Sequence, residues 1–252
     1  NERYKARQIF KQKMDLEPWF GMEQEYFIMN HDTELPIGYS PTKKLGKFYC
    51  GNGSQNTYGR NFAEEHLKLC MNAGVNISGI NAEVSPGQWE FQIGPCEGIE
   101  IGDHMHIARY LLYKTTEIFN CYITLHPKPL KGNYWNGSGC HTNFSTNQMR
   151  HGTTKHDGYY YIKKAVERLG ENHHYHMMHY GENNEERMTG NCETADYDNF
   201  TWSVGGRDVS VRIGNETYEN KKGYFEDRRP GSNCEPYLVS SLIFKSCCLT
   251  LK

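Results

Sequence analysis

Residues 81–95, NAEVSPGQWEFQIGP, predict a β-hairpin around which the rest of the chain is organised. Pro86-Gly87 favours a tight turn, because proline presets φ at one turn position and glycine tolerates a positive φ at the next. The second arm then has the two-residue period of a strand, which puts its large apolar side chains on one face. These side chains are Trp89, Phe91 and Ile93. Such an apolar face must pack against a core.

The opposite face of the hairpin is polar. It carries Gln88, Glu90 and Gln92, and Glu83 on the first arm can meet Glu90 across the turn. One glutamate here would be explained by simple surface exposure. Two glutamates in a hairpin whose other face is aromatic leave two interpretations open: surface acids, or a polar cavity or metal site.

Composition excludes several classes of protein. The 252 residues carry a net charge of -2, with 23% charged and 13% aromatic residues, which is an ordinary globular composition. This charge gives no signal for a nucleic-acid partner, and no apolar stretch has the length of a membrane span. The nine cysteines are odd in number and form no CxxC pair, which predicts free thiols and a cytoplasmic location. The chain does not open on Met, so we expect a longer parent protein.

The order of predicted elements favours an α+β domain, with an antiparallel sheet and helices on one side. Residues 1–16 are predicted to be a linker or short helix. The periodicity predicts strands at 19–29, 121–125, 140–145, 209–213 and 224–230, and helices at 61–73, 102–119 and 158–180. The last helix contains His173, His174, His176 and His179, which we interpret as a solvated helix face rather than a metal site.

Four further strands each present polar groups on a single face. They are Glu23 and Glu25; His141, Asn143 and Ser145; Arg212; and Tyr224, Glu226 and Arg228. Together with the hairpin, these strands bring five glutamates and one histidine toward a shared destination. Such a cluster would repel itself unless cations neutralised it. An oxygen-rich set with one imidazole and no thiolate favours Mg²⁺ or Mn²⁺, and six ligands suit two sites of three.

Arginines supply the complementary charge. They are Arg187, Arg207, Arg212, Arg228 and Arg229. Because a guanidinium binds planar carboxylate or phosphate with two parallel hydrogen bonds, several of them beside two metals suggest phosphoryl transfer near a carboxylate substrate. A surface ion pair is the alternative for any one of them, but Arg228 shares a strand face with Glu226.

Five motifs, in this order, resemble glutamine synthetase of the eukaryotic type. They are MEQEY (22–26), NAEVSPGQWEFQIGP (81–95), NGSGCHTNFST (136–146), RMTGNCET (187–194) and GYFEDRRP (223–230). The resemblance implies a catalytic domain over residues 17–252, built on a curved antiparallel sheet with flanking helices. Residues 1–16 would then be a linker or helix from a missing N-terminal β-grasp domain. The implied reaction joins ammonia to L-glutamate with ATP as co-substrate, through γ-glutamyl phosphate.

The resemblance also implies a role for each site residue. One metal would be held by Glu23, His141 and Glu226, and the other by Glu25, Glu83 and Glu90. Nucleotide contacts would come from Glu90, Phe91, Gln92, Asn143, Ser145, Arg212 and Tyr224. Glutamate would be bound by Asn136, Gly137, Arg187, Arg207 and Arg228, with Glu193, Arg207 and Arg228 as the catalytic groups. The family further implies two or more Mg²⁺ or Mn²⁺ ions per active site and a homo-oligomer with active sites at subunit interfaces.

Departures from the family pattern keep two alternatives open. Cys192, Glu186 and Asp208 stand where eukaryotic relatives usually carry other residues. One alternative is a non-catalytic relative that keeps the fold for assembly. The other is a ligase that joins a different amine to glutamate.

Overall fold

The computed structural model describes residues 1–40, 46–132 and 134–249. The strands are β1 (Trp19–Met29), β2 (Ile77–Ala82), β3 (Gln88–Glu97), β4 (Tyr122–Thr124), β5 (Cys140–Ser145), β6 (Trp202–Val204), β7 (Val211–Ile213) and β8 (Phe225–Asp227). The helices are α1 (Glu2–Phe10), α2 (Arg60–Asn72), α3 (Glu100–Phe119), α4 (Asn147–His151), α5 (Gly158–Glu171), α6 (His173–Met177), α7 (Asn215–Asn220) and α8 (Pro236–Cys248). Single 3₁₀ turns lie at Met14–Leu16 and Asn184–Glu186.

Within the described residues the strands form one sheet, in the order β2-β3-β1-β5-β8-β7-β6, and β4 pairs with β1. Neighbouring strands are antiparallel except β6 and β7, which run parallel. The antiparallel prediction is therefore corrected at one pair, and the sheet is mixed. The α+β fold class is confirmed.

The predicted hairpin forms between β2 and β3, with Gly87 in its turn at φ +69°. A Cβ at Gly87 would lie 2.9 Å from the carbonyl oxygen of Ile37, so the turn requires glycine for space as well as for its dihedral angle. The apolar side chains of β3 are buried as expected. Phe91 packs against Tyr26 of β1 and His66 of α2.

The helical layer is centred on α8, whose side chains are almost all buried. This helix contacts α1, α3 and α5. Residues 1–16 accordingly form a helix that is integrated with the core, since Ala6 and Phe10 are buried and Phe10 stacks near Phe244. Their origin in another domain stays a prediction.

The predicted helix at 158–180 is interrupted at Asn172, where α5 ends and α6 begins. His173 and His176 of α6 are both buried. The interpretation of this histidine cluster as a solvated face is therefore wrong for these two residues. In the described part of the chain, no helix is both long and apolar enough to cross a membrane.

Candidate active site

The pairing register of the sheet brings the predicted site residues together. Glu25 pairs with Glu90 across β1 and β3, and Glu23 pairs with His141 across β1 and β5. On the other side of β5, Asn143 pairs with Glu226. Because directly opposed residues project to the same face, these pairings bring polar side chains from four strands together.

Two groups of three possible metal ligands result. Each group offers ligand atoms that lie within 4.8 Å of one another. The groups are Glu23, His141 and Glu226, and Glu25, Glu83 and Glu90. The sequence analysis named the same two sets of three, and their metal-binding role remains a proposal.

Burial disfavours the ionised form of most carboxyl groups in these two sets. It raises the pKa of Glu23 to about 8 and that of Glu83 to about 9, with further increases from neighbouring glutamates. Burial also raises the pKa of Glu25 and of Glu90 to about 7. At neutral pH these carboxyls therefore retain protons that a bound cation would displace.

Glu226 is the exception among these acids. Burial acts to raise the pKa of Glu226, but the hydrogen bond with His141 and the nearby Arg228 and Arg212 lower it to about 2. Its carboxylate lies 2.8 Å from Arg228 Nη1 and 2.5 Å from Arg212 Nε. His141 Nδ1 lies 3.2 Å from Glu226, and burial and Arg228 lower the pKa of His141 to about 4. His141 is therefore a neutral imidazole, the form that binds metals.

Neighbouring groups orient these candidate ligands. Asn143 donates a hydrogen bond of 2.7 Å from Nδ2 to Glu23, and the Gly139 amide donates one of 2.6 Å to Glu25. Asn81 Nδ2 donates to Glu83 at 3.0 Å. The donor set contains five carboxylates, one neutral imidazole and no thiolate, so its chemistry fits hard divalent cations such as Mg²⁺ and Mn²⁺.

A cavity of about 530 Å³ opens beside the first of these groups. Its walls combine apolar surface with a few polar side chains, as nucleotide-sized ligand pockets do. Among its lining residues are Glu23, Gln92, Asn143, Ser145 and Tyr224, four of which the sequence analysis assigned to the nucleotide.

A more polar cavity of about 290 Å³ adjoins it and shares Glu23, Asn143 and Tyr224. Arg207 and Arg212 line this second cavity together with Glu226. The larger cavity is therefore mainly apolar, and the smaller one beside it carries the charged side chains. A nucleotide divides in the same way, into a base and charged phosphates.

The sequence analysis missed two residues of the larger cavity, Trp19 and Arg150. The Arg150 guanidinium lies 3.9 Å from the centre of the Trp19 ring and donates to Ser145 Oγ. A signal for Trp19 existed, because the two-residue period of β1 runs back from Glu23 to position 19. Arg150 belongs to α4, and nothing local in the sequence places that helix against β1.

The nucleotide assignment of Phe91 needs correction. Its side chain is buried in the core on the opposite face of β3, so only its backbone could face the site. Glu90 lies with Glu25 and Glu83. Neither residue is part of the cavity wall.

Three of the predicted glutamate-binding residues, Asn136, Gly137 and Arg187, lie on the loop before β5 and directly after the 3₁₀ turn Asn184–Glu186, whereas Arg207 lies between β6 and β7 and Arg228 follows β8. Gly137 packs directly against the Arg187 side chain, and a Cβ there would also lie 2.6 Å from the Pro127 carbonyl oxygen. Arg187 is buried, and its Nη2 donates to the carbonyls of Arg228 and Arg229. Asn136 is partly buried on the same loop as Gly137.

Glu193, Arg207 and Arg228 form the outer edge of the site. Arg207 Nη1 lies 3.4 Å from both Glu193 oxygens, in an exposed ion pair. Arg228 Nη2 donates to the Glu193 backbone carbonyl at 3.4 Å. Cys192 and Glu193 both have positive φ angles, 52° and 61°, which non-glycine residues seldom adopt. The segment thus turns sharply beside Arg207 and Arg228.

The fold and this site define a candidate divalent-metal enzyme that accepts a nucleotide beside its metals. The family model described as "Glutamine synthetase, catalytic domain" matches residues 3–177. The chain is 50% identical to a putative glutamine synthetase of Acanthamoeba polyphaga mimivirus over 248 residues, covering 98% of this chain and 69% of that protein. It is 49% identical to the nodule isozyme of Lupinus luteus over 249 residues, with coverages of 96% and 69%.

The chain therefore belongs to the glutamine synthetase family. Among solved structures, the fold matches a cryo-EM Plasmodium falciparum glutamine synthetase with a TM-score of 0.76 at 17% identity. That match covers 98% of this chain and 54% of the solved chain, so the chain spans about half of its length. The two relatives at about 50% identity support glutamate–ammonia ligation and do not favour a non-catalytic scaffold or a ligase for another amine, whereas the solved structure supports the fold alone.

Proposed function

We propose that this chain catalyses the ATP-dependent joining of ammonia to the γ-carboxylate of L-glutamate. The observation that carries the proposal is the pair of three-residue groups of possible metal ligands, the first of which contributes Glu23 and Glu226 to the polar cavity beside a nucleotide-sized one. Glutamate's carboxylate oxygen attacks the γ-phosphorus of ATP, and ADP leaves. Ammonia then attacks the acyl carbon of γ-glutamyl phosphate, phosphate leaves, and glutamine forms.

Two divalent cations, Mg²⁺ or Mn²⁺, fit this site. Glu23, His141 and Glu226 would hold one, and Glu25, Glu83 and Glu90 the other. When bound, the ions neutralise charge on the phosphates and on the oxygens that react. The chain's own contribution is to hold the ligands in place before binding, through hydrogen bonds such as the one from Asn143 to Glu23.

The nucleotide is proposed to occupy the two adjoining cavities. Its base would lie in the larger one, near Trp19 and the Arg150 guanidinium, since aromatic and guanidinium planes both stack on bases. Gln92, Asn143, Ser145 and Tyr224 would contact the rest of the nucleoside. Arg212, in the polar cavity, would meet the phosphates.

Cationic side chains would fix the reacting groups. Arg187, whose pKa burial lowers to about 10, still carries its charge at neutral pH and lies against Gly137 on the glutamate side. Arg228 and Arg207 would stabilise the negative charge that develops on the phosphoryl group in transit. Positioning and charge neutralisation then supply most of the catalysis.

Glu193 is proposed to shield the intermediate from water and to accept a proton from ammonium. Its contacts with Arg207 and Arg228 support this role, because they place the segment beside two cationic side chains of the site. Closing the site excludes water, which would otherwise hydrolyse the acyl phosphate.

We also propose that the chain forms a homo-oligomer in the cytoplasm, with active sites at the subunit interfaces. Two observations support the location: the cysteines of the described residues form no disulfide with one another, and one relative at 48% identity is a cytosolic isozyme of Vitis vinifera. Light scattering after size-exclusion chromatography tests the assembly, and a monomer at micromolar concentration would contradict it.

The activity is tested by measuring glutamine and ADP from glutamate, ammonia and MgATP. Glu226→Gln should abolish both products, because it removes a candidate ligand. Glu167→Gln is the matched control, since Glu167 is an exposed acid paired with Lys164 on α5. The proposal fails if the unsubstituted chain releases no ADP with all three substrates present, or if the two variants behave alike.

A further inference from the structure

Asp227 lies between two residues of the proposed site, and its side chain points the other way. Strand β8 alternates, so Glu226 and Arg228 face the acidic cluster while Asp227 and Arg229 project into the helical layer. Asp227 and Arg229 form an ion pair in which both side chains are 0% exposed. Burying two charges costs free energy, and such a pair adds little to stability compared with apolar residues. The presence of this buried ion pair on the helix-facing side of β8, opposite the proposed site, therefore calls for a functional explanation.

The Asp227 carboxylate has a full set of hydrogen-bond donors. Its Oδ1 accepts from Arg229 Nε at 2.8 Å and from the Arg229 amide at 3.2 Å. Its Oδ2 accepts from Arg229 Nη2 at 2.7 Å and from the Tyr180 hydroxyl at 2.9 Å. Four donors on two oxygens fix the side chain, and with it the twist of the strand, in one orientation.

His176 extends this arrangement toward α8. Its Nε2 lies 2.8 Å from Ser246 Oγ, and its Nδ1 lies 2.6 Å from the Tyr180 oxygen. The same Nδ1 lies 3.4 Å from Arg229 Nη2. His176 therefore connects Ser246 of α8 with Tyr180 and Arg229, and the Tyr180 hydroxyl continues the connection by donating to Asp227.

His173 holds the other member of the ion pair. Its Nε2 lies 2.9 Å from the backbone carbonyl of Tyr197, which can only accept, so the proton is on Nε2. Its Nδ1 is then free to accept from Arg229 Nη1 at 3.1 Å. The Arg229 guanidinium also lies over the rings of Tyr180 and Phe200. Helix α6 is thus anchored to Arg229 by a neutral imidazole.

The backbone of Arg229 links this arrangement directly to the site. Its carbonyl accepts from Asn184 Nδ2 at 2.8 Å and from Arg187 Nη2 at 2.7 Å. Arg187 is a proposed glutamate-binding residue, and Glu226 and Arg228 precede Arg229 on the chain. A displacement of Arg229 would therefore move three proposed site residues together.

We propose that Asp227, Arg229, His173, His176 and Tyr180 form a buried positioning cluster, which sets the orientation of Glu226 and Arg228 toward metal and phosphate. The inference rests on the proposed function, because it assigns the cluster to that site. None of the five residues contacts a substrate. They act through the strand, by removing the freedom of β8 to twist or slide.

The test compares two tyrosines that each donate a hydrogen bond to an aspartate. Tyr180→Phe removes the bond to Asp227 without leaving either charge of the ion pair alone, whereas Asp227→Ala would risk misfolding. Tyr237→Phe is the matched control, since Tyr237 donates to Asp103, which is far along the chain and also paired with Arg3. Thermal unfolding, Mn²⁺ titration and steady-state kinetics are measured on the full chain for both variants.

Tyr180→Phe is expected to weaken Mn²⁺ binding at one of the two sites by about tenfold, as loss of an outer partner of a ligand commonly does. Its kcat should fall about tenfold as well, while the control changes only its Tm. Equal Mn²⁺ affinities and kcat values for the two variants would overturn the inference, leaving the cluster a purely structural role. Failure of the unsubstituted chain to bind Mn²⁺ would instead refute the proposed metal sites themselves.

Discussion

Adding Mn²⁺ to the metal-free protein at pH 7 is expected to displace protons from the acidic site. In the group of Glu25, Glu83 and Glu90, two carboxyls have pKa values of about 7 and the third has a pKa of about 9. At pH 7 the first two are half protonated and the third is almost fully protonated, so this group holds about two protons.

The other group contributes about one proton more. Glu23, with a pKa of about 8, is mostly protonated at pH 7, whereas Glu226, with a pKa of about 2, is already ionised. His141, with a pKa of about 4, is already neutral. Filling both sites should therefore release about three protons per chain at pH 7, and less than about one at pH 9.5.

Isothermal titration calorimetry in buffers with different ionisation enthalpies counts these protons. The slope of the observed enthalpy against the buffer's ionisation enthalpy is the number of protons released. Glu83→Gln should lower that number by about one, because it removes the carboxyl that is most fully protonated. A slope near zero at pH 7, or one that does not fall at pH 9.5, would refute the electrostatic account of the site.

Further outcomes follow from the same geometry. In the metal-free protein Glu23, Glu25, Glu83 and Glu90 have higher pKa values when folded than when unfolded, so above pH 7 the folded state binds more protons and Tm should fall from pH 7 to pH 9. Saturating Mn²⁺ should flatten that slope. Glu226→Ala should reduce Mn²⁺ stoichiometry from two to one by titration and lower the rate of glutamine formation by at least about 100-fold, and unchanged affinity would contradict its role as a ligand. Trp19→Ala should raise the KM for ATP about tenfold with little change in kcat, since one stacking contact with a base is lost; an unchanged KM would place the base elsewhere. Gly137→Ala should raise the KM for glutamate because the added Cβ overlaps the Arg187 side chain, and an unchanged KM would contradict the role of that contact.

The sequence allowed the grouping of site residues to be predicted well. The two-residue period of a strand is a local property, and it assigned Glu23 and Glu25 to one face of β1 and Glu90 to one face of β3 without knowledge of the fold. The electrostatic argument then required these faces to converge on a cation. The division into two sets of three came from the family resemblance, and the structure brings the same two sets together.

The contacts that depend on packing between distant segments could not be predicted in this way. Arg150 reaches Trp19 only because α4 folds back along β1. His173 and His176 were interpreted as solvated because the sequence offered them no acidic counterpart of defined geometry. They continue the three- and four-residue spacing of Ile162, Val166 and Leu169, which are buried in α5, so the helical period could have placed them on that face. Their partner Arg229 is distant in the sequence and could not be predicted from it.

Strands β1 and β8, which both carry site acids, share a second feature. The two-residue period of a strand could have revealed it from the sequence. Gln24 lies between Glu23 and Glu25 just as Asp227 lies between Glu226 and Arg228, and each faces the layer that should be apolar. Gln24 Oε1 accepts from Arg109 Nε at 2.8 Å, while its Nε2 donates to the carbonyls of Glu25 and Ser232. A polar residue on the core face of a strand must be satisfied by hydrogen bonds to be tolerated. A buried polar residue between two site residues therefore indicates that hydrogen bonds on the core face fix the strand whose opposite face carries the site.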